Sequence, residues 1–172
     1  IEPDPFSLSL AALEQLLADP QVSKANKPLR QVENIKFKVA LSFPGERRSY
    51  VELVADALRE RFGHDTVFYD YYYQSQLAKP GIDVTLQNIY RMQSDLVVVF
   101  LCSEYEKKDW CGLEWRAIRD VIKSKENEKI MFVRFDDSDI SGVFSIDGFI
   151  DARVHSPAAM IEFISERIQL QE

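Results

Sequence analysis

The chain reads as an α/β fold: a doubly wound, five-stranded parallel sheet with helices on both faces. Two observations predict it. Short apolar runs alternate with helical periodicities in the order β-α-β-α-β-α-β-loop-β-α, and strands separated by helices pair in parallel through crossovers. The runs at residues 37–43 and 95–102 are almost continuously apolar, as strands covered on both faces must be.

The elements follow in order. Leu10, Leu13, Leu16 and Leu17 recur at helical spacing within residues 3–19, and Asp19-Pro20 ends that helix. Residues 21–34 are polar and read as a linker. This divides the chain into an N-terminal helix and linker from an upstream region (1–34) and a compact domain (35–172). In the domain, strand 37–43 runs into the turn Pro44-Gly45-Glu46-Arg47-Arg48. Ser49-x-x-Glu52 reads as a capping box. Val51, Val54, Ala55, Leu58 and Phe62 mark the buried side of a helix that Gly63 stops. A second strand covers 66–70, and a long loop covers 71–81. Loops of that length in compact domains usually carry function, and Tyr71, Tyr72 and Tyr73 are expected to offer ring surface to a ligand or a partner.

A helix over 82–93 buries Ile82, Leu86 and Ile89. After strand 95–102, Asp109 is a candidate N-cap for a helix running to about Lys123. Trp110 and Glu114 are i and i+4 on it and share a face with Ala117, Ile118 and Val121. Strand 130–135, an acidic loop at Asp136, Asp137 and Asp139, and a short strand at 148–151 come next. Ser156-Pro157 caps a last helix that buries Met160, Ile161, Ile164 and Ile168.

Composition narrows the function. Hydrophobic residues make up 46% of the chain, enough for a packed core, and the net charge is −7 with no basic block. Nucleic acid and anionic membrane are therefore not expected partners. Two cysteines, Cys102 and Cys111, make no disulfide framework, and no apolar run is long enough to span a bilayer. A cytoplasmic location is expected. Gly45 stands alone after the first strand, which excludes a dinucleotide fingerprint or P-loop. His64 and His155 lack metal-ligand spacing to either cysteine, so no metal site is expected. Glu114 stands out: a carboxylate beside an indole, where a strand hands over to a helix, at the sheet end where such folds bind ligands.

Several segments together resemble the Toll/interleukin-1 receptor (TIR) domain family, which has a flavodoxin-like fold. Val39-Ala40-Leu41-Ser42-Phe43-Pro44-Gly45-Glu46 is similar to its first-strand motif. Phe68-Tyr69-Asp70, before a loop closing in Pro80-Gly81, resembles its second strand and BB loop. Ser103 to Tyr105 and Trp110-Cys111-x-x-Glu114 resemble its third segment, and Phe135-Asp136-Asp137 with Gly148-Phe149-Ile150-Asp151 resembles the bacterial branch. The resemblance implies an enzyme that hydrolyses or cyclises NAD+, with Glu114 as the catalytic carboxylate and Trp110 beside it. NAD+ is then substrate, and no cofactor is implied. Asp70 and Ser75 join the substrate contacts on the same ground. Self-association through Tyr71, Tyr72, Tyr73, Lys79, Pro80 and Gly81, a fused or associated sensor domain and a role in bacterial antiviral defence are likewise implied. Two alternatives stand beside this: a non-catalytic adaptor binding other TIR domains through the same loop, and a nucleoside deoxyribosyltransferase-like enzyme.

The implied chemistry suits these residues. Cleaving the nicotinamide–ribose bond passes through an oxocarbenium-like state, as glycoside hydrolysis does. One fixed carboxylate stabilises its developing positive charge. Phe43 or Trp110 offers a flat surface for a ring, and Arg47 and Arg48, at the end of the first strand, are placed to neutralise a diphosphate.

Overall fold

A computed structural model of the chain describes residues 30–105, 109–124, 127–145 and 147–171, with backbone alone for 109–114. The helix expected over residues 3–19 lies outside them. Residues 31–34, read from sequence as linker, group with the domain. They form a 3-10 turn, Val32–Asn34, whose Val32 is wholly buried.

Strand β1 (Phe37–Ser42) leads through a 3-10 turn, Gly45–Arg47, into helix α1 (Arg48–Phe62). Strand β2 (Val67–Phe68) is followed by a 3-10 turn at Asp70–Tyr73 and the single-turn helix α2 (Gln74–Leu77). Helix α3 (Ile82–Asn88) is prolonged by a π-helical turn, Ile89–Gln93, that delivers the chain to β3 (Ser94–Leu101). Helix α4 (Asp109–Lys123), β4 (Ile130–Arg134), β5 (Ile150–Asp151) and α5 (Pro157–Gln169) complete the domain. The strands lie in the order β2-β1-β3-β4-β5, every pair parallel. This is the predicted doubly wound sheet. Among the described residues, no helix is long and apolar enough to cross a membrane.

The strand period of two divides the core in two. In β3, Val97, Val99 and Leu101 face one layer with Phe68, Leu86, Ile89, Ala117, Ile118 and Val121. Leu96, Val98 and Phe100 face the other, with Val51, Val54, Ala55 and Leu58 of α1 and Met160, Ile164 and Ile168 of α5. Each strand residue thus meets a helix whichever way it points, which is why the runs are apolar throughout.

Local chemistry sets several ends. Gly63 stops α1 at φ 100°, its N–H bonding Arg59 O, a conformation that a side chain disfavours. Ser156 caps α5 as expected, Oγ accepting from Ala159 N at 3.3 Å with Pro157 at the first position. The capping box at Ser49 does not form. The N–H groups of Arg47 and Arg48 already bond Pro44 O and Gly45 O, so the turn runs directly into α1 and leaves Ser49 inside it. Asp109 is likewise the first helical residue of α4, not its cap. Strand β2 ends at Phe68 because the chain turns at once, Tyr72 N donating to Tyr69 O at 3.0 Å. The segment expected as a long loop over 71–81 is therefore largely helical.

Candidate functional site

Connections leave β1 and β3 in opposite directions along the sheet, and the crevice outside the carboxyl ends of those two strands is where such folds bind ligands. Ser42 ends β1 there, and its hydroxyl meets the buried Tyr105 hydroxyl at 2.6 Å. That bond joins the two sides of the crevice across 63 residues of chain. Tyr105 also stands edge-on to Trp115, with ring centroids 5.9 Å apart, and Trp115 Nε1 donates to Ser141 O at 2.8 Å. The first described side chains of α4 are thus tied both to β1 and to the loop after β4.

On the β2 side of the crevice, Phe43 stacks on Tyr69 at 5.6 Å. The Arg48 guanidinium lies 5.0 Å from the Phe43 ring, 5.5 Å from Tyr69 and 5.2 Å from Tyr71. It donates to both carboxylate oxygens of Asp70, at 2.7 and 2.8 Å, and to Tyr69 Oη at 3.2 Å. The Asp70 hydrogen bonds drive the Arg48 pKa further up, so the guanidinium stays charged. Burial pushes the Tyr69 phenol up as well, which keeps it neutral.

On the β4 side, Arg47 stands over the Phe135 ring at 4.9 Å and 3.8 Å from Glu104. Arg47 Nε and Glu104 Oε2 are buried atoms with no hydrogen-bond partner among the described residues. The donor atoms of Cys102, Glu104 and Asp136 lie within 4.8 Å of one another, and Arg47 brings positive charge to the same corner. Burial raises the Cys102 thiol, which stays protonated. Hydrogen bonding with Cys102 is the chief cause holding Glu104 below its ordinary range. Asp136 accepts from Ser103 N at 2.9 Å and Ser138 N at 3.0 Å. It is a clamp between two crevice loops, not the solvated acid that its sequence context suggested.

The family model for the TIR domain matches residues 39–164. The chain belongs to the TIR domain family. A 3' cyclic ADP-D-ribose synthase of Aquimarina amphilecti, AaTIR, is 31% identical over 134 residues, covering 78% of this chain. The chain spans only 40% of that relative's length. The TIR domain of the Toll-related receptor TRR-2 of Hydra magnipapillata superposes with a TM-score of 0.51 at 13% identity, covering 76% of this chain and 98% of that one. That likeness speaks for the fold alone.

The TIR crevice gathers some of the residues singled out by sequence and separates others. Phe43, Arg47, Arg48 and Asp70 all reach it. Arg48 and Asp70, however, are bound to each other, so a diphosphate reaching Arg48 would compete with Asp70. Glu114 and Trp110 belong to the first turns of α4, and their side chains lie outside the described residues. Ser75 is exposed on α2.

The expected interface also changes. Tyr73 is 7% exposed and packs on Phe37 and Phe68, so it is a core residue. Tyr72 is half-buried, and its hydroxyl bonds Asp56. Lys79 pairs with Glu33 inside the domain. Tyr71, Pro80 and Gly81 remain exposed. Sequence reasoning missed the Ser42–Tyr105 bond, the Arg47–Glu104–Cys102 corner and Trp115. Only Trp115 carried a signal, its i, i+3, i+7 spacing with Ile118 and Ile122.

Proposed function

We propose that this TIR domain cleaves the nicotinamide–ribose bond of NAD+, by hydrolysis or cyclisation, with Glu114 as its catalytic carboxylate. The observation that carries the reading is the placement of α4, which opens after the carboxyl end of β3, beside the end of β1 across the crevice. Residue 114 lies in its second turn, at the sheet end where ligands bind. Similarity to a cyclic ADP-ribose synthase supports the same chemistry.

The reaction breaks the C1'–N bond, and nicotinamide leaves with the electron pair. The Glu114 carboxylate offsets positive charge developing on the ribose. Water adds at C1' to give ADP-ribose and a proton, or a hydroxyl of the same molecule adds and loses its proton to give a cyclic product. Phe43 and Trp110 supply ring surfaces, and Arg47 is the cation with an unmet donor, its Nε. Self-association through the exposed part of residues 71–81, a fused or associated sensor and a bacterial defence role complete the reading.

The test is chromatography of products from concentrated protein and NAD+. Wild type should release nicotinamide together with ADP-ribose or a cyclic isomer, and Glu114→Gln should lose about a hundredfold or more of the turnover. A folded Glu114→Gln protein with wild-type turnover overturns the assignment. The adaptor reading gains from one observation, the Arg48 plug among Phe43, Tyr69 and Tyr71. It predicts self-association with no NAD+ turnover at any concentration.

A further inference from the structure

We propose that residues 32–35 form a strap coupled to the tyrosine segment, so that the hold on the strap sets the mobility of residues 70–81. Val32 and Ile35 are buried in the same core layer as Tyr73 and Leu77. The strap is not a sheet strand. Besides its own turn bonds, its main-chain groups bond side chains from two other elements. Gln76 Oε1, from α2, accepts from Val32 N at 2.8 Å. Gln93 Nε2 donates to Val32 O at 2.9 Å and to Ile35 O at 2.7 Å. An ion pair between Glu33 and Lys79 ties the strap to the far end of the same segment.

Three features make this a coupling. Helix α2 is one turn long, too short to persist by itself, so its position depends on what holds its ends. Those holds are Tyr73 and Leu77 in the core, and Gln76 and Lys79 on the strap. Gln93 closes a π-helical turn, a rare geometry that recurs where a side chain is re-aimed for function. Its amide meets two carbonyls of the strap, of which Val32 O also accepts from Ile35 N at 3.3 Å. Severing these side-chain bonds leaves the parallel ladder intact, so the strap can release without unfolding the sheet. Because the two segments share contacts, loosening either loosens the other. The consequence for activity rests on the assembly reading above, whereas the coupling itself does not.

The experiment is amide hydrogen exchange on the full chain carrying Gln93→Ala. Amides of 32–35 and those of Ala78 and Lys79, which bond Gln74 O and Leu77 O, should accelerate together by about tenfold. Amides of β3 should keep their wild-type rates. Acceleration confined to 32–35 overturns the proposal, because Gln93 touches that segment alone. If Gln93→Ala unfolds the domain, Glu33→Gln decides. It removes only an exposed ion pair and should accelerate both segments about threefold, and no paired change there also overturns the strap. Paired acceleration in the variant, with no NAD+ turnover by the wild-type protein, keeps the strap and sinks the catalytic reading instead.

Discussion

Arg48 and Asp70 hold each other through two parallel hydrogen bonds, Nη1 to Oδ1 at 2.7 Å and Nη2 to Oδ2 at 2.8 Å. The pair joins the first residue of α1 to the first residue of the turn after β2. With Phe43, Tyr69 and Tyr71 around the guanidinium, the β2 side of the crevice is filled by the protein's own cation. A diphosphate entering there must compete with Asp70 for the same planar fork of donors.

On the proposed NAD+ chemistry, opposite effects on affinity follow for the two partners. Asp70→Asn frees the fork and should lower KM several-fold, while costing about 1 kcal/mol of stability, since both side chains are about a third exposed. Arg48→Ala should raise KM about tenfold. Steady-state kinetics on both variants checks this, and equal KM values would mean that Arg48 never meets the substrate.

The Ser42–Tyr105 bond predicts a non-additive pair. Tyr105→Phe and Ser42→Ala should each cost about 1–2 kcal/mol. The double variant should cost about 1 kcal/mol less than the two losses added together. Denaturant unfolding of all four proteins measures it, and strict additivity shows that the bond couples nothing.

Tyr71 and Tyr73 should behave oppositely, although only Tyr72 stands between them. Tyr73→Ser removes a ring packed on Phe37 and Phe68 and should cost about 3 kcal/mol. Tyr71 is 54% exposed, and Tyr71→Ser should change stability by less than about 1 kcal/mol. In the proposed assembly mechanism, it should also flatten the rise of specific activity with protein concentration. Thermal melts and an activity series over concentration, alongside light scattering, separate the two roles.

Asp136 sets an acid limit. Burial pulls its pKa up, but hydrogen bonds from Ser138 and Ser103 and the charge on Arg47 outweigh burial and leave it lowered. A lowered carboxylate contributes stability above its unfolded value of about 3.9, and loses it as pH falls through the folded value. Melting temperature should therefore drop below about pH 4, and Asp136→Asn should make that drop shallower. An unchanged profile in the variant assigns the acid sensitivity to other carboxylates.

Much of the fold was legible in the sequence because its causes are local. Continuous apolar runs marked strands covered on both faces, the 3.6-residue period marked α1, α4 and α5, and Gly63 and Ser156 marked ends through their own backbone chemistry. Short motifs in the right order pointed to the TIR family. What only tertiary structure decided were the partners. Periodicity tells which side of an element is buried but not which residue faces it. The sequence therefore named Arg48 and Asp70 separately and offered three adjacent tyrosines as one surface. The fold sends Tyr73 into the core because the 3-10 turn Asp70–Tyr73 brings its ring onto Phe37. It joins Arg48 to Asp70 because the ends of β1 and β2 lie side by side, and it brings Tyr105 to Ser42 because β3 lies on the other side of β1. Strand order makes those pairings, and no local pattern encodes strand order.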